Sequence, residues 1–264
     1  MKKFLSVFYI FLVLAFIYVP ILVLVVYSFT DSNIIGNWNG FSFDLYSRLF
    51  TEERIRTMLF NTITLALVAG VLSTVLGTLG AIGLYYSKGK FAKTVKGASS
   101  ISVINAEIVT AISLALVFSL VAFGKTYFSL IIGHMVLCTP FVMLSVTPKL
   151  KQMDGSLYEA ALDLGASPTK ALFKVVLPEI LPGIFSGFML AITLSLDDYI
   201  ITAFTKPETF DTISTYVYSA VKNQAKSELP ALRALSSCIF FIMIIVVIIM
   251  NVNANRKAKG KVAR

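Results

Sequence analysis

Residues 156–182 read SLYEAALDLGASPTKALFKVVLPEILP, and their local chemistry sets two short helices one after the other. Glu159 to Leu164 is a turn rich in Ala and Leu, both strong helix formers, and Gly165 supplies the stop because glycine enters the left-handed conformation at no steric cost. Ser167-Pro168 then gives an N-cap followed by proline at the first helical position, where a missing N–H is harmless. Ala171, Leu172, Val175 and Val176 recur at helical spacing with Lys170 and Lys174 between them. Pro178 is expected to end this second helix, and Pro182 to open the next apolar run. The expected product is a compact helical hairpin. Glu159 offers a charge, Ala160 and Ala161 permit close approach, and Gly165 lets the backbone turn against a partner. On these residues alone a docking hairpin and a generic amphipathic loop are both open.

The rest of the chain is far more apolar than this segment. Of 264 residues 57% are hydrophobic and 14% charged, against about 25% charged in ordinary soluble domains. The apolar residues gather into runs of roughly 20, enough to cross a hydrocarbon core as helix, and lack the alternation of a membrane barrel. The expected fold is therefore all-α and integral to the membrane, with spans at about 4–29, 59–86, 99–122, 127–147, 183–205 and 230–251. The first run is too long for a signal peptide and has no small-residue cleavage site, so residues 1–29 are read as an N-terminal anchor. Residues 30–264 form the core, with the hairpin in an inner connection at 148–182.

Six crossings place both termini on one side. If that side is the cytoplasm it holds Lys2, Lys3, Lys88, Lys90, Lys93, Lys96, Lys149, Lys151, Lys170, Lys174 and the tail from Arg256 to Arg264, a majority of the 23 basic residues. Topology thus accounts for the net charge of +9, and no nucleic-acid motif accompanies it. Cys138 and Cys238 lie in apolar runs without paired spacing and read as buried thiols. His134 has no second ligand at metal spacing and reads as packing near an outer helix end. With no glycine-rich phosphate loop and no nucleophile–base pair, neither cofactor, metal nor enzymatic role is expected. The outer connection at 30–58, with Phe41, Phe43, Leu45, Tyr46, Leu49 and Phe50 among polar residues, reads equally as an interfacial amphipathic helix or as packing on the span ends.

Acidic groups inside spans cost about 2.5 to 3.5 kcal/mol on insertion scales and mark function by default. Glu107 falls in the third expected span, and Asp197 and Asp198 in the fifth, in LSLDDYIITAF. On a continuous helix adjacent aspartates point about 100° apart, so one faces the lumen and the other a neighbouring span or the outer interface. Acidic groups on an apolar route attract a cation, and Tyr199 beside them adds a ring face for an ammonium. The alternative is that the aspartates only cap or tie the helix end.

The hairpin resembles the EAA loop of membrane subunits of binding-protein-dependent ABC importers: EAA, three residues, Gly, nine residues, Ile, one residue, Leu-Pro. Glu159, Ala160, Ala161, Gly165, Leu177 and Pro178 match in register, and Val175 stands in the Ile position. The resemblance implies a type I importer permease whose loop docks in a cleft of the ATPase subunit. The segments LSLDDYIITAFT, NTITLALVAGVLSTVLGTLGAIGLYY and EIVTAISLALVF are similar to the second of the two unlike spermidine/putrescine permease subunits, with one departure, Asn105-Ala106-Glu107, where the resemblance leads one to expect a proline-containing start to that span. This implies polyamine uptake across a bacterial cell membrane with a second permease, two ATP-binding subunits and an extracytoplasmic polyamine-binding protein. A permease for an oxyanion or ferric ion, and a non-transporting scaffold or receptor, are the competing readings. Acidic rather than basic span residues weigh against anions.

Overall fold

The computed structural model describes residues 2–32, 37–87, 89–223, 230–241 and 244, and these are helices joined by turns with no strand among them. The chain divides into two compact units, Met1–Thr57 with Val217–Arg264, and Met58–Tyr216. In order, the helices are α1 (Lys2–Tyr27), α2 (Asp44–Thr51), α3 (Glu53–Tyr86), α4 (Lys90–Ile104), α5 (Glu107–Leu120), α6 (Tyr127–Gln152), α7 (Ser156–Asp163), α8 (Pro168–Ala171), α9 (Leu177–Asp197), α10 (Ile200–Thr205), α11 (Ile213–Lys222) and α12 (Pro230–Phe241).

Composition decides which of these face lipid. From Leu5 to Tyr27 α1 is apolar on all sides and buries none of its side chains, as a span bathed in hydrocarbon does. α3, at 34 residues and roughly 51 Å, exceeds the hydrocarbon thickness, and it presents small residues where other helices cross it. A Cβ at Gly77 would lie 2.6 Å from that of Val142, and one at Gly70 would meet Ile192 at 3.0 Å. α6 and α9 cross in the same manner. Gly187 abuts Val142 and Ser145, and a Cβ at Gly183 would strike Lys149 at 2.7 Å. Val142, Val146, Leu150, Val176, Ile180, Ala191 and Ile201 are fully buried between these helices.

The six-span expectation is met only in part. Among the described residues four helical stretches are long and apolar enough to cross a membrane, those of α1, α3, α6 and Pro168–Asp197, and a bent pair makes up to five. The expected span at 99–122 is that pair. Asn105 and Ala106 adopt extended backbone (ψ 140° and 133°), so α4 ends, the chain turns by 113°, and α5 starts at Glu107. Of the sixth expected span, α12 covers 230–241, while 242–243 and 245–251 lie outside the described residues, as do Lys88 and the basic tail.

Pro178 does not end a helix as expected. Helical winding runs from Pro168 to Asp197, and the turn Leu172–Val176 is π-helical. The Leu177 N–H reaches back to the Leu172 carbonyl, five residues away. A proline lacks an N–H and its ring crowds the carbonyl four residues before it. Widening the preceding turn by one residue relieves that crowding, so the loop winds into the span without a break.

Candidate functional site

The hairpin at 156–171 has a seated side and a bare side. α7 closes in a Schellman motif: the Gly165 N–H bonds to the Leu162 carbonyl at 2.9 Å and the Ala166 N–H to that of Ala161 at 3.1 Å. Gly165 takes φ +82°, the left-handed geometry that a side chain resists. Ser167 then caps α8 by accepting the Lys170 N–H, with Pro168 at the first position. At the entrance, the Ser156 N–H donates to Asp154 at 3.0 Å and holds that carboxyl below the usual carboxylate range.

Tyr158 seats α7. Its ring lies 5.1 Å from that of Tyr86 and packs on the buried cluster that includes Val176 and Ile180. The other side is uncovered: Glu159, Ala160 and Pro178 are exposed, Ala161 and Leu177 half-buried, and Leu164 is 89% exposed. Leu157 and Phe173 add to this apolar surface around a carboxylate. Motif residues Glu159, Ala160, Ala161 and Gly165 therefore share one projecting element, with Leu177 and Pro178 at its base.

The second cluster forms where the expected fifth span is broken. α9 ends at Asp197, and Asp198 is extended (ψ 124°) instead of continuing the helix. The cause is in its own side chain. Asp198 Oδ1 accepts the Ile201 N–H at 3.1 Å, and Oδ2 accepts the Thr202 N–H and hydroxyl, both at 2.8 Å. These bonds satisfy the free donors at the start of α10. The continuous-helix geometry expected for the two aspartates is thus replaced by a cap: Asp198 is buried and Asp197 exposed.

His134 completes this cap, and nothing in its sequence neighbourhood announced it. It is fully buried rather than at an outer helix end. Its Nδ1 lies 2.8 Å from Ser195 Oγ, its Nε2 3.0 Å from Thr202 Oγ1 and 3.6 Å from Asp198 Oδ2. One proton arrangement satisfies every partner. Thr202 donates to Asp198, His134 Nε2–H donates to Thr202, and Ser195 donates to Nδ1. Ser214 Oγ also donates to the Asp198 carbonyl at 2.7 Å, and Lys206 ties the following turn through Asp211 at 2.6 Å.

Glu107 is not deep within a span. It is the exposed first residue of α5, where the positive end of the helix dipole favours a carboxylate. α5 packs along α10, and Asp198 and Asp197 both lie close enough to act on the Glu107 charge. Tyr199, half-buried, stands between the two aspartates and α10. The fold therefore gathers Glu107, Asp197, Asp198 and Tyr199 into one region. Among the described residues no His, Cys, Asp and Glu group is arranged to hold a metal.

Residues 1–259 match the family model described as binding-protein-dependent transport system inner membrane component. The spermidine/putrescine transport system permease protein PotC of Haemophilus influenzae is 32% identical over 237 residues, 90% of this chain and 92% of that protein. PotC of Escherichia coli K12 is 32% identical over 246 residues, 93% and 92% of the two chains, and the putrescine transport system permease protein PotI of the same strain is 33% identical over 228 residues, 83% and 81%. A chain in the crystal structure of a bacterial ABC transporter involved in import of the acidic polysaccharide alginate superposes with a TM-score of 0.70 over 96% of this chain and 95% of that one. At 16% identity that likeness shows the type I importer permease fold alone. The chain belongs to the binding-protein-dependent transport system inner membrane components, as a multi-pass ABC importer permease that works with ATPase and binding-protein subunits and is not itself an enzyme.

Proposed function

We propose that this chain conducts polyamines such as spermidine and putrescine inward across a bacterial cell membrane. It pairs with a second, unlike permease chain and serves two ATP-binding subunits and an extracytoplasmic polyamine-binding protein. The observation that carries this reading is the identity of about a third, over most of the chain, to permeases named for those solutes. Both termini and the hairpin lie in the cytoplasm, as the distribution of lysines favours. α1 is the N-terminal anchor, and residues 30–264 are the permease core.

In this reading the motor's closure pulls on Glu159, Ala160, Ala161 and Gly165, and the pull enters α9 through Leu177 and Pro178 without a flexible break, because winding is continuous there. The far end of α9 carries Asp197, exposed and near Glu107. Two carboxylates with a tyrosine ring beside them attract an ammonium group through charge and cation–π contact. Asp198 holds the frame that presents them. A loaded binding protein then drives transport only through its preference for one of two conformations of the permease pair.

Asp197→Asn and Glu107→Gln test the passage. Each is expected to raise the polyamine concentration giving half-maximal uptake by about tenfold, the loss of one charge-assisted contact, with membrane expression unchanged. Uptake kinetics equal to the parent in both variants would remove these carboxylates from the route.

A further inference from the structure

We infer that the segment 37–51 is a membrane-seated aromatic platform, which beds into the leaflet at the C-terminal end of α1 and fixes how deep that span sits. Phe29, just past α1, is the centre of an aromatic cluster. It stacks on Phe41 (centroids 5.5 Å, planes 6° apart), meets Phe43 edge-on at 5.8 Å, and lies 5.2 Å from Tyr46. Tyr27, the last residue of the span, meets Trp38 edge-on at 6.2 Å. Hydrogen bonds fasten the platform to the span end: Ser28 Oγ to Tyr46 Oη at 2.6 Å, the Ser42 N–H to the Phe29 carbonyl at 2.7 Å, and the Asn39 N–H to Thr30 at 3.2 Å.

The outer face of this cluster is bare. Trp38 is 49% exposed, Phe41 66%, Phe43 61% and Phe50 78%. On α2, Tyr46 and Phe50 share one face by helical spacing with the flanking Phe43 beside them, Leu45 and Leu49 are buried next to it, and Asp44, Ser47, Arg48 and Thr51 take the opposite arc. Such a helix lies in an interface plane with rings toward the acyl boundary and polar groups toward water. Two facts commit the occupant to lipid. The platform is continuous with α1, in which no side chain of the apolar stretch Leu5–Tyr27 is buried. Between Asn37 and Thr51 the only charges are Asp44 and Arg48, which cancel, so no charged partner is called for. Aromatic side chains with polar tips favour just this depth.

Trp38 is the only tryptophan of the chain. In the complete importer reconstituted in nanodiscs, the parent spectrum minus that of Trp38→Phe isolates its emission. In a bilayer of phosphatidylcholine brominated near the headgroup, that emission is expected to fall by about half relative to unbrominated lipid, as a ring at the headgroup–acyl boundary requires, and to resist iodide. Phe50→Trp in the Trp38→Phe background is expected to behave alike, and reports α2 independently. Iodide quenching without lipid quenching at both positions would place the platform in water. Lipid-insensitive emission that shifts only on adding the binding protein would make it a protein-docking face. Either result overturns the inference.

Discussion

Reversing the charge of Glu159 to lysine is expected to abolish coupled uptake, by roughly 30-fold or more, while leaving the permease folded. The two halves of that expectation have separate causes. Glu159 is exposed and, among the described residues, has no hydrogen bond or ion pair; the seat is Tyr158, against Tyr86 and the buried cluster that includes Val176 and Ile180. Its replacement therefore costs the chain itself within about 0.5 kcal/mol, as for ordinary surface changes. At an interface the same change strands a charge against its former partner, and truncating or reversing one member of a buried charged pair costs about 2 to 5 kcal/mol. Leu164→Asp attacks the bare apolar part of the same face and is expected to act in the same direction. The check is co-purification of the ATPase subunits with the permease, together with uptake at matched expression. Retained ATPase and normal uptake in both variants would remove the hairpin from the coupling interface.

Asp198→Ala is expected to lower the stability of the permease by about 2 to 4 kcal/mol. It deletes the acceptors for two backbone N–H groups at the start of α10, worth about 0.5 to 2 kcal/mol as a cap. It also takes the carboxylate acceptor from the buried Thr202 hydroxyl, at about 1 to 3 kcal/mol, while the His134 imidazole keeps Thr202 and Ser195. His134→Ala removes the imidazole from the same network and should cost less, since Thr202 retains Asp198 as its acceptor. The double variant is expected to lose less than the sum of the two, because both changes dismantle one cluster. Thermal unfolding of the purified complex, followed by size-exclusion chromatography, measures all three. Strict additivity would mean that His134 and Asp198 act independently. The consequence for transport is practical: reduced uptake in an Asp198 variant reports a damaged frame, whereas the Asp197 and Glu107 variants test the proposed route.

The hairpin was legible in the sequence because its determinants are local. Gly165, Ser167 and Pro168 each dictate backbone geometry within a residue or two, and the structure places the turn and the cap where that chemistry requires. Pro178 misled because its steric clash was answered by a neighbouring π-turn, an adjustment spread over Leu172–Val176 in apolar residues with no signature of their own. The break at Asn105–Ala106 left only a weak trace, since apolar residues on both sides gave one run of spanning length. Asp198 shows a different limit. Counting residues along a continuous helix presumed that the helix continues, but a carboxylate three or four residues from free N–H groups offers the backbone a competing arrangement. His134 lies 61 residues before Ser195, and only tertiary packing brings the two together. The one available signal was a lone ionisable residue in an apolar span, which earns a partner search on the cost of burying it.

In the proposed function a polyamine passes through this chain under the power of a separate ATPase. Uptake of radiolabelled spermidine and putrescine by cells carrying the complete system tests it most directly, compared with cells whose ATPase subunits carry an inactivated nucleotide site. Saturable accumulation of one or both polyamines that disappears with ATPase activity is the predicted result. Cells with the intact, assembled system that accumulate neither polyamine would contradict the substrate assignment, leaving the importer permease fold in place without its cargo.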